Sequence, residues 1–214
     1  MLLSIIRQNQ KLAAKRNPAF DRNRFAKFLI YFMVAFWAAY LIFIGVMLSF
    51  AFEDIFPSME PYHIMNQELI YLLILDFLLR FMLQPAMSQE IKPYLLMPVK
   101  KNKLVDTLLL QSGISSYNFF WFFLIIPFAL FTIIRFYGLT GILCYLCGIW
   151  LLMVMNSYWY LIYKTLLNEK LLYILLPIGV YGLLAGTEFI PEGNPVSTFM
   201  MNLGEGFIEG NILA

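Results

Sequence analysis

Hydrophobic side chains fill 61% of the 214 positions and charged ones only 13%, with a mean hydropathy of +0.74. A soluble fold is nearer half apolar and a quarter charged, and one of this size has no way to keep so much apolar surface from water, so lipid is the solvent that suits this composition. The formal net charge of +2 excludes little, but the placement of the charges is informative, and the 21 Phe, 13 Tyr and 4 Trp suit a chain that meets headgroups.

In chain order, residues 1–26 precede the first long apolar run. Leu2, Leu3, Ile5, Ile6, Leu12 and Ala13 form one apolar stripe at helical spacing, with Arg7, Lys11 and Lys15 elsewhere. This pattern predicts an interfacial amphipathic helix on an anionic leaflet, broken at Asn17-Pro18, and the competing reading is a disordered basic tail. The opening apolar stretch is too short for a signal peptide, so the first span is expected to direct its own insertion.

A helix needs about 20 mostly apolar residues to cross the bilayer. Residues 28–52, 107–134, 138–163 and 171–187 meet or approach this without a charge, and 69–87 does so with Asp76 and Arg80 inside it. The expected fold is therefore an all-α membrane protein with about five transmembrane helices. Arg135, Gly138 and Gly141 mark a tight turn between the third and fourth spans, and Lys164 to Lys170 marks the next turn. Pro127 and Pro177 fall inside spans, where kinks are expected.

If these helices alternate, Arg7, Lys11, Lys15, Arg16, Arg22, Arg24 and Lys27 share one side with Lys92, Lys100, Lys101, Lys103, Lys164 and Lys170. The other side then holds Arg135 with Glu53, Asp54, Glu60, Glu188, Glu192, Glu205 and Glu209. The basic side is expected to be cytosolic, which puts the N-terminus there. Segment 188–214 becomes an acidic tail outside. Pro191, Pro195 and the tail's glycines argue against a long helix, and two glutamates prevent 199–212 from spanning. A chain that stops outside after an odd number of spans is expected to be a fragment, or the first half of a longer permease.

The cytosolic segment 88–106 joins apolar Leu95, Leu96 and Val99 and two prolines, Pro93 and Pro98, to the basic Lys100 and Lys101. A short element of this kind suits docking to a soluble partner, the apolar groups filling a groove and the charges fixing register. The competing reading is an ordinary basic loop that enforces topology and holds anionic headgroups.

Two spans, then Leu95-Leu96-Met97-Pro98-Val99-Lys100-Lys101, then Lys103-Leu104 and a new span: this order resembles the ABC-2-type permease subunits of ABC exporters. Residues Arg16-Asn17-Pro18-Ala19-Phe20-Asp21-Arg22-Asn23-Arg24 also look like an uncharacterised bacterial permease-like family related to them. The resemblance implies a connecting helix over the N-terminal segment, a coupling helix at 88–106, and a location in the bacterial cytoplasmic membrane. It also implies an ATP-binding-cassette ATPase as partner, with a second permease copy or a C-terminal half completing the path. ABC-2 domains usually have six spans, and the sixth is missing here.

Asp76 and Arg80 lie four residues apart, on one helix face. Each costs roughly 2.5–3.5 kcal/mol at a helix centre on insertion scales, so the pair is expected to face the bundle or a wet cavity. It lines a transport path, or it is a neutralised structural pair with Arg80 snorkelling toward the cytosol. Cys144 and Cys147 have redox-motif spacing but lie in an apolar span and read as structural. Gly182 and Gly186 suggest close packing, and Gln111, Asn118, Asn156 and Ser157 suggest interhelical hydrogen bonds. No G-x-x-x-x-G-K-[ST] or H-E-x-x-H occurs, and His63 is the single histidine. No ATP binding, hydrolytic chemistry, cofactor, metal or nucleic-acid binding is therefore expected of this chain itself. The main alternative to a permease is a non-transporting membrane scaffold or assembly factor.

Overall fold

A computed structural model describes residues 24–84, 101–189 and 194–210, together with Gln8 and Leu12. The described residues are helical with short connections and contain no β-strand. The expected N-terminal amphipathic helix falls almost wholly outside them.

Helix α1, Arg24–Ile55, is 32 residues long, and its stretch Lys27–Ile55 is long and apolar enough to cross a membrane. Phe28, Phe32, Phe36 and Tyr40 recur every fourth residue and stack along an exposed face. The second half of α1 packs against a later helix, and Gly45 sets the approach. A Cβ there would fall 2.2 Å from the Leu124 carbonyl oxygen, so only glycine permits the contact.

Helix α2, Pro61–Gln67, is short and largely buried, with proline at its start where a missing N–H has no cost. It leads into α3, Leu69–Leu83, whose 15 residues are apolar apart from Asp76 and Arg80. The expected single helix over 107–134 is instead α4, Lys101–Gly113; α5, Ser116–Phe120; and α6, Phe122–Phe131. The axes of Asn102–Phe120 and Phe122–Phe131 differ by 59°. Pro127 lies inside α6, so the bend belongs to Trp121 and not to the proline.

Helix α7, Ile134–Glu169, contains the anticipated turn: Gly138 has φ 62° and ψ −161°, a conformation that side-chain-bearing residues rarely adopt. Lys170 is extended and ends the helix. A 3-10 turn, Leu171–Ile174, then opens α8, Leu175–Gly186, and a second, Thr187–Phe189, closes it. Segment Leu171–Gly186 is apolar but short. Among the described residues two helices are long and apolar enough to cross a membrane, or three if the bent pair counts as one span.

The region read as a tail contains α9, Pro195–Glu209. The Asn194 side chain caps it by accepting from the Val196 and Ser197 amides, and left-handed Gly210 ends it. Glycine acts here as a contact surface. A Cβ on Gly204 would strike the Asn66 amide, and one on Gly148 of α7 would strike the Phe207 ring. α9 therefore lies tightly across α2 and α7. Gly182 and Gly186 behave differently from the expectation: nothing lies within 4 Å of a Cβ built at either, so the G-x-x-x-G pair makes no close packing among the described residues. The largest core cluster centres on Ile125, Phe128, Ala129, Tyr145, Ile149 and Met153, where α6 and α7 meet.

Candidate functional site: a buried charged pair tied to four segments

Asp76 and Arg80 are on one face of α3, and both are buried, at 2% and 0% exposure. Arg80 Nε donates to Asp76 Oδ2 at 2.7 Å. The pair also reaches beyond its own helix. Asn156 Nδ2, from α7, donates to the same carboxylate oxygen at 2.8 Å, and Trp121 Nε1, from the α5–α6 bend, donates to Oδ1 at 2.9 Å. Three donors therefore surround the carboxylate.

Arg80 Nη2 donates to Asn118 Oδ1 of α5 at 2.7 Å, so the guanidinium points into the bundle and does not snorkel. Asn118 Nδ2 donates in turn to the carbonyls of Ser112 and Gly113, at 2.9 and 2.6 Å. Those two carbonyls stand at the end of α4, where the helix has run out of its own donors. The asparagine that holds Arg80 thus also stabilises the break. On the far side, Tyr181 of α8 donates to Asn156 Oδ1 at 2.7 Å, while Asn156 Nδ2 also reaches the Leu73 carbonyl at 3.0 Å. Ser112 and Ser157 share a 2.6 Å hydrogen bond between α4 and α7. One Arg80 nitrogen, Nη1, is buried and meets no acceptor among the described residues.

The polar residues Asn118, Asn156 and Ser157 were expected to join helices, and they do. Trp121 and Tyr181 are additional members, since an aromatic that carries an N–H or O–H inside an apolar run gives no sign of its partner. This arrangement cross-links α3 to the broken segment, to α7 and to α8. Chemically it brings together two groups of opposite formal charge, and it leaves the Nη1 end of the guanidinium without an acceptor among the described residues.

A second polar group lies between α2 and α9. His63 Nδ1 meets Glu205 Oε1, Gln67 Nε2 meets the Met201 sulfur at 3.3 Å, and Tyr145 donates to Asn66 Oδ1 at 2.9 Å. Burial first, and then a hydrogen bond with Tyr137, pushes the Tyr62 phenol up, so it stays protonated. Cys144 and Cys147 are free thiols on α7. Among the described residues no group of three His, Cys, Asp or Glu is arranged to hold a metal.

Of the docking segment, Lys101 opens α4. Pro93, Leu95, Leu96, Pro98, Val99 and Lys100 lie outside the described residues, between the end of α3 and the start of α4. That gap joins the helix bearing the charged pair to the helix bearing the break.

No curated protein and no solved structure matches the chain. A profile for a family of unknown function, DUF5687, matches residues 10–214, and the chain belongs to that family.

Proposed function

We propose that this chain is the membrane-spanning permease component of an ABC-2-like exporter, driven by a separate ATPase that docks on segment 88–106. The observation that carries the reading is the coincidence of a broken apolar segment, bent by 59° at Trp121, with a buried Asp76–Arg80 pair bonded to Asn118 just before that break and to Trp121 at it. Interrupted helices with polar groups inside the membrane are a recurring construction at transport sites. In this reading five segments cross the bacterial cytoplasmic membrane from a cytosolic N-terminus, α3 and the short α8 segment completing the count, and residues 1–26 lie on the inner leaflet.

The mechanism is alternating access. The ATPase grips 88–106, closes on ATP, and moves α3 and α4, between which that segment runs. The polar cluster passes the displacement of α3 to α5, α7 and α8. The ATPase supplies the energy, since only a ligand that binds two conformations differently shifts their balance. A second permease copy or a C-terminal half completes the path. One observation suits the scaffold reading instead: the Asp76 carboxylate accepts from Arg80 on its own helix, from Trp121 and from Asn156, bracing α3 against two other segments.

The test is a complex of this chain with a co-purified ATP-binding-cassette subunit. Replacing Leu95, Leu96 and Val99 by glutamate is expected to weaken ATPase association and coupled turnover about tenfold or more, as loss of buried apolar anchors does. Unchanged coupling in folded variants overturns the docking assignment.

A further inference from the structure

Between α3 and α8 lies an apolar groove of about 260 Å³. Ile74, Phe77, Leu78 and Phe81 form one wall, and Ile174 and Ile178 belong to the other. Leu78 and Ile178 are 51% and 62% exposed, so the groove opens onto the outer surface, which faces lipid in the proposed threading. Its lining is almost wholly carbon. Tyr181 contributes its ring, while its hydroxyl is turned away to Asn156.

One end of this groove is charged. The Lys164 ammonium sits 4.5 Å from the centre of the Phe81 ring and 5.8 Å from that of Tyr160. Among the described residues no carboxylate forms an ion pair with Lys164, although exposed Glu169 and Lys170 follow at the end of α7. Held over the ring of Phe81, a residue of the groove wall, the ammonium lies beside the groove with N–H donors to offer an anion.

The geometry points to a phospholipid site: one acyl chain of an anionic phospholipid from the surrounding leaflet lies in the α3–α8 groove, with its phosphate on Lys164. An almost all-carbon lining beside a lysine ammonium matches an amphipath with an apolar tail and an anionic headgroup. Charge separates it from a neutral lipid, because a lysine at the membrane surface attracts anionic headgroups. The inference does not depend on transport, and its test needs neither ATP nor a partner.

The full chain, purified in detergent, is incubated with equal phosphatidylglycerol and phosphatidylcholine of identical chains, and retained lipid is measured by native mass spectrometry. Wild type is expected to keep phosphatidylglycerol about fivefold over phosphatidylcholine, the ratio one lysine at a phosphate supplies. Lys164→Gln keeps lipid but loses the preference. Ile178→Trp fills the groove and loses both lipids, and Leu78→Trp, on the opposite wall, does the same if the first variant misfolds. Equal retention of the two lipids by wild type overturns the proposal. So does undiminished retention in a folded tryptophan variant, or a lipid-free dimer that the tryptophan dissociates.

Discussion

Asp76 and Arg80 were conspicuous in the sequence because a charge in an apolar run has few tolerable surroundings, and four-residue spacing puts both on one face. What sequence could not show is the direction the arginine takes. Snorkelling is cheap when water is the nearest acceptor, but here Asn118 offers an acceptor deeper in the bundle, and Arg80 takes it. Nor does spacing reveal that Trp121, 45 residues on, supplies a donor to the carboxylate. The energetics of the pair are lopsided. Asp76→Leu alone strands a buried guanidinium and is expected to lower stability by about 3–5 kcal/mol. Asp76→Leu with Arg80→Met removes both charges and is expected to recover most of that loss, short of the unpaired Trp121 and Asn118 groups. Thermal unfolding in detergent compares the two, and a double variant no better than the single would refute a mutually neutralising pair.

Local rules worked for helix elements where charge and glycine conformation decide, and failed where tertiary contact decides. The turn at Gly138 was legible, since its backbone conformation suits glycine alone. The break inside 107–134 was missed because the stretch carries no charge, although Gln111, Ser112, Gly113, Ser115, Ser116 and Asn118 interrupt its apolar residues where α4 ends, and the last carbonyls of α4 accept from the Asn118 side chain. In α9 the glycines were read as helix breakers, yet Gly204 and Gly206 lie within the helix, and Gly204 meets Asn66. Adding a methyl at Gly148 or Gly204 is expected to cost about 1–3 kcal/mol by forcing α9 away. Gly182→Ala, which meets nothing, is the control and is expected to be neutral or to gain up to about 1 kcal/mol from helix propensity. Equal melting temperatures for Gly148→Ala, Gly204→Ala and Gly182→Ala would mean that α9 is not seated as described.

At the scale of the whole molecule, composition alone indicated a membrane protein, and α1 and α7 have the length and apolarity for it. The finer expectation, about five crossings, rests on the distribution of lysine and arginine. It includes α3, whose 15 residues fall short of the usual span, and the short segment Leu171–Gly186. Length counts are weakest for such helices, because tilt, flanking residues and bilayer thinning absorb the difference. Orientation can be read directly. With Cys144 and Cys147 replaced by serine, a cysteine at exposed Asn102 is expected to resist an impermeant maleimide in intact cells and to react once they are permeabilised. A cysteine at exposed Glu60 is expected to react in both. Labelling at Asn102 in intact cells would invert or abolish the proposed threading.

The four-residue spacing of Asp76 and Arg80 also bears on biosynthesis. The carboxylate's other donors, Trp121 and Asn156, are encoded 45 and 80 residues later. At about 5–20 residues per second, a ribosome needs roughly 4–16 s to reach Asn156. In the proposed threading, the nascent helix carries its own counterion during that interval and can leave the translocon nearly neutral before the segments that bear Trp121 and Asn156 exist.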